Sequence, residues 1–227
     1  MYTPSHFAEA KLPVLHDFIR RHSLGTLIAS TARGLEAEHV PLLLVESRGD
    51  YGALQGHVAR ANPIWQVLPD GADVLVVFQG PHHYVSPSWY PAKQEHGRVV
   101  PTWNYVVVHA RGRITWNRER AWLRDLLERT IDFNERAQPH PWRLTDAPAE
   151  FVEPMLDAIV GFEIPIASLQ GKWSSARAAA RAIGWASSGG WRRSRAPRLT
   201  SSRSACGSWR RAGDYARRST TTRGWPA

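Results

Sequence analysis

Cysteine is almost missing from this sequence: its one copy, Cys206, lies close to the end of the 227 residues. A chain with no thiol before that point can build neither a disulfide framework nor a thiolate metal site there. Long apolar runs are missing too. No stretch approaches the roughly 18 residues that a membrane-crossing helix requires. The opening MYTPSHFAEAKLPVLHDF has no basic segment followed by an apolar one, so no signal peptide is expected. The expectation is a soluble, cytoplasmic protein without membrane association. The strings G-x-S-x-G, H-E-x-x-H, G-x-G-x-x-G and the P-loop are also absent, which argues against an elbow hydrolase, a zincin, a Rossmann domain and an NTPase. Ten histidines are present, but none form an i, i+4 pair. His82 and His83 are adjacent, so on an extended segment they point to opposite faces, and no metal site is expected.

Charge is present, but in one place. Of the 29 basic and 20 acidic residues, twelve arginines and a single acid (Asp214) fall after Trp173. Residues 1–173 keep seventeen bases against nineteen acids, so the net charge of +9 comes from the last segment alone. That segment has no lysine, and Ile183 and Leu199 are its only residues from the Val/Ile/Leu/Phe group. Its four tryptophans (185, 191, 209 and 225) follow no period. Such a composition cannot bury enough surface to offset its ordering entropy, so residues 174–227 are expected to be irregular or disordered. Two readings fit them. One is an arm whose arginines and tryptophans could meet DNA phosphates and bases. The other is a frameshifted translation of a GC-rich gene, favoured by the abrupt change in composition at the boundary.

The first 173 residues carry ordinary folding signals. Leu12, Leu15, Phe18 and Ile19 predict a short amphipathic helix over about 12–22. Strands are expected at 25–31, 39–46, 51–58 and 73–79, and a longer one at 103–115 that bends near Gly112. A turn and short helix with Pro63 in its first turn fill 59–67. Asn117 is the expected cap of a helix to about 135, with Trp122, Leu123, Leu126, Leu127, Thr130 and Ile131 on one face. Asp146 is the expected cap of another, with Phe151, Val152, Met155 and Leu156 turned inward. A last strand covers 158–169, where Pro165 restricts it to an edge or a bulge. Strand meanders with helices outside them predict an α+β fold built on a small, mainly antiparallel barrel.

Polar residues gather in GHVARANP (56–63), FQGPHHYVSPSWYP (78–91) and EHGRVVPTWNYVVVHARGR (95–113), each at a strand end or in a Gly/Pro loop. Arginine and hydroxyls suit a phosphate, amides suit a ring edge, and aromatics suit ring faces. The mixture fits a flat aromatic ligand bearing a phosphate. No general acid or base stands out, so no catalytic residue is assigned.

These strings, with the opening MYTPSHF, LEAEHVPLLL and the closing AIVGFEIPIASLQGKW, resemble PaiB-type proteins over residues 1–173. The resemblance implies an FMN-binding split barrel similar to pyridoxamine-phosphate oxidases, usually a homodimer with FMN at the subunit interface. It implies a negative transcriptional regulator, the alternative being an FMN-dependent oxidoreductase of unspecified substrate. The GHVARANP turn occupies the place where that fold holds the FMN phosphate, which makes His57 and Arg60 the first candidates. Asn62, Ser86, Thr102 and Asn104 come second. The family pattern continues after GKW with a lysine and a Ser-Gln-Asn segment, whereas this chain reads Ser174–Ser175–Ala176–Arg177.

Overall fold

The computed structural model describes residues 1–90 and 92–174. The expectations for the arginine-rich segment, from Ser175 onward, lie outside the described residues.

Alternating apolar residues build nine strands: β1 (Ala8–Glu9), β2 (Leu24–Thr31), β3 (Gly34–Pro41), β4 (Leu43–Val45), β5 (Ala53–Ala59), β6 (Asp73–Val85), β7 (Thr102–Arg113), β8 (Thr115–Asn117) and β9 (Ile159–Ser174). Among the described residues five α-helices join them: α1 (Leu12–Arg21), α2 (Ile64–Val67), α3 (Ala92–Glu95), α4 (Arg120–Glu135) and α5 (Ala149–Asp157). All pairings are antiparallel, in the order β3-β2-β6-β7-β9-β5-β4, with β1 and β8 also on β9. The path ends in β3 and β4, which do not pair with each other, so the barrel is split there. This is the α+β split barrel expected from the sequence.

β9 holds the two halves together. Its first part pairs with β5 and β8, and its second part with β7 and β1. The change of partner falls at Pro165–Ser168, where the β7 register shifts between Arg111 and Gly112. Only a residue without a side chain fits opposite the crossing backbone, because a Cβ on Gly112 would overlap the Pro165 carbonyl. The bend expected near Gly112 and the bulge expected near Pro165 are therefore one feature.

Inward-facing residues alternate with outward ones along each strand. Leu27, Val76, Phe78, Val108, Phe162 and Ile164 fill the barrel with Leu15 and Ile19 of α1, all fully buried. Each such large side chain contributes about 1.5–3 kcal/mol through burial. A second, smaller core lies outside the barrel, where Leu123 of α4 packs with Leu144, Val152 and Leu156.

The structure differs from the expectations at several points. The segment 39–46 breaks at Leu42, whose amide donates to the Ser23 carbonyl, so it divides between β3 and β4. The segment 103–115 breaks at the fully buried Ile114, which exchanges backbone bonds with Gly71 and Ala72. Helix α4 starts after Glu119, and Asn117 caps the turn before it by accepting the Glu119 amide. Asp146 accepts the Arg143 amide instead of capping α5. Phe151 and Met155 point outward, 60% and 48% exposed, because α5 presents Val152 and Leu156 to α4.

Candidate functional site

Three regions of the described chain bring polar side chains together, and they differ in how far those side chains are already engaged.

The first is the turn after β5. His57 shares a strand face with Gln55, opposite the buried Leu54, Gly56 and Val58. It pairs with Gly161 of β9, where a Cβ would collide with Trp122 of α4. His57 is thus covered from outside the barrel, and burial pushes its pKa below the ordinary value of 6.5. Arg60 is folded back onto the junction of α5 and β9: its guanidinium donates from Nε to the Asp157 carbonyl and from one terminal nitrogen to that of Ile159 (3.1 Å). The Asn62 side-chain oxygen accepts the Ile64 amide at 2.9 Å, opening α2. The three residues lie on or just after the end of β5; Arg60 spends its guanidinium on the junction of α5 and β9, and Asn62 spends its side-chain oxygen within the turn.

The second region is an arm. β6 and β7 continue past the barrel as a hairpin in which His82, His83 and Val85 face Tyr105, Asn104 and Thr102. Ser86 accepts the Ser88 amide at 3.2 Å, starting the tight turn Pro87–Trp89. His83 stacks on Trp89, with ring centroids 5.5 Å apart and planes 11° from parallel. Trp103 sits edge-on to Tyr84 at 5.9 Å. Trp89 is 60% and Trp103 55% exposed, so neither is a core residue of the described chain.

These two regions adjoin opposite ends of β9. His57 neighbours Gly161 near the start of β9, whereas Tyr105 neighbours Ser174 at its end. Thirteen residues of extended strand separate those positions, about 40 Å of contour. Along β9, Arg60 and Asn62 therefore lie towards the start of the strand and Thr102 and Asn104 beyond its end.

The third region was missed in the sequence. It is the outer face of β2, β6, β7 and the second half of β9. Ile28, Leu75, Val77 and Val107 point outward there, half-buried, and belong to neither core. Among them stands His109, between Val77 on one side and Gln170 on the other. Its Nδ1 is buried with no hydrogen-bond partner among the described residues. Desolvation lowers the His109 pKa, helped by the positive charges of the amino terminus and Arg111, so the ring is kept neutral. Arg111 pairs with Ser168 one step along. The signal was present in VVVHARGR and IASLQG, where a polar residue recurs at every second position. Only the pairing of β7 with β9 shows that the two strings face each other.

Among the described residues, no three histidine, cysteine, aspartate or glutamate side chains converge as a metal site would require. No helix of the described chain is long and apolar enough to cross a membrane.

Comparison with known proteins places this geometry in context. A family model described as "Putative FMN-binding domain" matches residues 1–168. The protease synthase and sporulation protein PAI 2 of Bacillus subtilis (strain 168) is 32% identical over 170 residues, covering 75% of this chain and 79% of the relative. The FAD and heme binding protein of Mycobacterium smegmatis superposes with a TM-score of 0.55 at 16% identity, covering 81% of this chain and 80% of that one. The flavocytochrome Anf3 of Azotobacter vinelandii gives 0.55 at 13% identity, covering 74% and 70%. At these identities the two structures share the fold.

Proposed function

Because the chain belongs to that FMN-binding-domain family and is an FMN-binding split-barrel protein, we propose that it works as a homodimeric flavoprotein with its cofactor between the two copies. The observation that carries this reading is the separation of the two polar regions along β9. In a two-fold dimer, residue i of one copy meets residue j of the other and the reverse. Docking two barrels through the outer face lets the turn of one copy approach the arm of its partner. His57, Arg60 and Asn62 would then line one side of the cofactor, and Ser86, Thr102 and Asn104 of the partner the other. The uncommitted apolar face of Ile28, Leu75, Val77 and Val107 supplies the surface for such docking.

The residues present fit FMN. The orphaned Nδ1 of His109, the nearby cationic groups and the flat β-branched surface match a ligand with a planar ring and an anionic end. When bound, FMN supplies hydride or one-electron chemistry on its ring system. The protein's part is to hold the ring, exclude water and place polar groups at its edge.

For the cellular role we propose negative transcriptional regulation in the cytoplasm. Residues 1–173 carry two more acids than bases, so they offer DNA little electrostatic attraction, and the regulation runs through the flavin state. One observation favours the second reading, an FMN-dependent oxidoreductase. The His83–Trp89 stack, whose Trp89 is exposed, offers an aromatic surface on one face of the arm on which a flat substrate could rest. The test is an absorbance spectrum from 300 to 500 nm of the purified, FMN-reconstituted chain, with its mass in solution. Bound flavin at the mass of two chains supports the proposal, and a flavin-free single chain removes it. DNA affinity that changes between oxidised and reduced flavin supports regulation over catalysis.

A further inference from the structure

The outer face carries a set of unengaged polar groups that the turn after β5 lacks. On β7, His109 and Arg111 point outward two residues apart; on β9, Gln170 and Ser168 stand directly opposite them. Cross-strand neighbours lie about 5 Å apart and next-but-one residues about 7 Å, so the four side chains occupy the corners of a small quadrilateral. The Arg111 guanidinium makes no hydrogen bond or ion pair among the described residues, and the side chains of Ser168 and Gln170 make none either. The next acid along β6, Asp73, is taken by Arg113 at 3.3 Å, and no other carboxylate occupies the rows of β2, β6, β7 and β9 on this face. Arginine beside a hydroxyl, an imidazole and an amide is a donor set for a tetrahedral oxyanion.

We infer that Arg111 and Ser168, flanked by His109 and Gln170, hold a phosphate group on the outer face of the barrel. The inference rests on the flavin reading for its first ligand, the phosphate of FMN, and the same chemistry admits the phosphate of another ligand. It moves the anionic end of the cofactor from the turn at 56–63 to the middle of the sheet. Arg60 spends its guanidinium on two backbone carbonyls, and His57 is kept neutral by burial. Arg111 has no such commitment. An uncharged His109 adds no proton-linked cost when it donates from Nε2.

The test titrates the full chain, wild type and Arg111→Gln, with FMN and with riboflavin, which differ only in the phosphate. Quenching of flavin fluorescence reports binding, and a third titration with inorganic phosphate is followed by calorimetry. Wild type should prefer FMN over riboflavin, and Arg111→Gln should lower FMN affinity by about tenfold or more while leaving riboflavin unchanged. Ser168→Ala should act in the same direction more weakly. An FMN affinity unchanged in Arg111→Gln but reduced in Arg60→Gln overturns the inference and leaves the flavin reading standing. Equal losses for FMN and riboflavin also overturn it. If neither flavin binds wild type, the flavin reading fails and the phosphate titration decides. Heat released with wild type and lost in Arg111→Gln keeps the anion site; no heat in either removes it.

Discussion

Gly112 faces the carbonyl oxygen of Pro165 so closely that any side chain at this position would overlap it. The contact lies where β9 leaves one half of the barrel and joins the other, so a local steric demand sits at the joint of the fold.

Replacing that glycine tests the joint. The obstacle is backbone rather than a movable side chain, and Ile164 closes the remaining space. Gly112→Ala should destabilise the protein by about 2–3 kcal/mol, at the upper end of overpacking costs. Urea unfolding should show a lower midpoint with an unchanged slope. A variant as stable as wild type would mean the strand crossing yields easily.

The polar contact between α4 and the sheet gives a second expectation. Gln55 is 3% exposed, accepts from Arg129 at 2.8 Å and donates to Glu163, which Arg48 also holds at 2.8 Å. Gln55→Leu removes a donor and an acceptor while leaving Arg129 and Glu163 without their shared partner. The loss should be about 1–3 kcal/mol, the usual range for stranded polar groups under partial cover. Glu163→Gln should lose less, because an amide can still accept from Gln55.

Much of this fold was legible because alternation and helical spacing report directly on burial. Strands β2, β5, β6 and β7 and helices α1 and α4 follow from such patterns. The breaks at Leu42 and Ile114 were not legible. Both are buried apolar residues inside apolar runs, and only their backbone bonds to distant segments interrupt the ladder. The facing of α5 was equally hidden, since four apolar residues in six positions leave two choices of inward pair. Contact with Leu123 and Leu144 selects Val152 and Leu156. For the site, the polar strings were visible but their arrangement was not. Strand order puts Arg60 and Asn104 at opposite ends of β9 and sets His109 against Gln170, some sixty residues away in sequence.

Two covered histidines give the stability a pH dependence of known sign. His57 and His109 both titrate below the ordinary value of 6.5 in the folded chain, chiefly through desolvation. Above that pH both rings are neutral in either state and contribute nothing. As pH falls below 6.5 the unfolded chain takes up protons that the folded one refuses, so stability drops until the folded rings also charge. Melting temperature should therefore fall between pH 7 and pH 5. The decline should be shallower in His57→Gln, and an identical slope would show that His57 is not the group responsible.

The last expectation concerns the apolar outer face. Val77 lies at its centre, paired with Thr26 on one side and His109 on the other, and contributes to neither hydrophobic core. A lysine there keeps a side chain that can extend into water, so the single barrel should stay folded with stability within about 0.5–1 kcal/mol of wild type. In a two-fold assembly the same substitution appears twice across the interface, placing like charges close together where Arg111 already adds positive charge. Val77→Lys should therefore sediment as a single chain at concentrations where wild type sediments as two. Flavin affinity should fall with it, because the turn of one copy would no longer meet the arm of the other. A variant that remains a dimer with full flavin affinity would place the interface on a different surface and leave the half-buried apolar stripe without a partner.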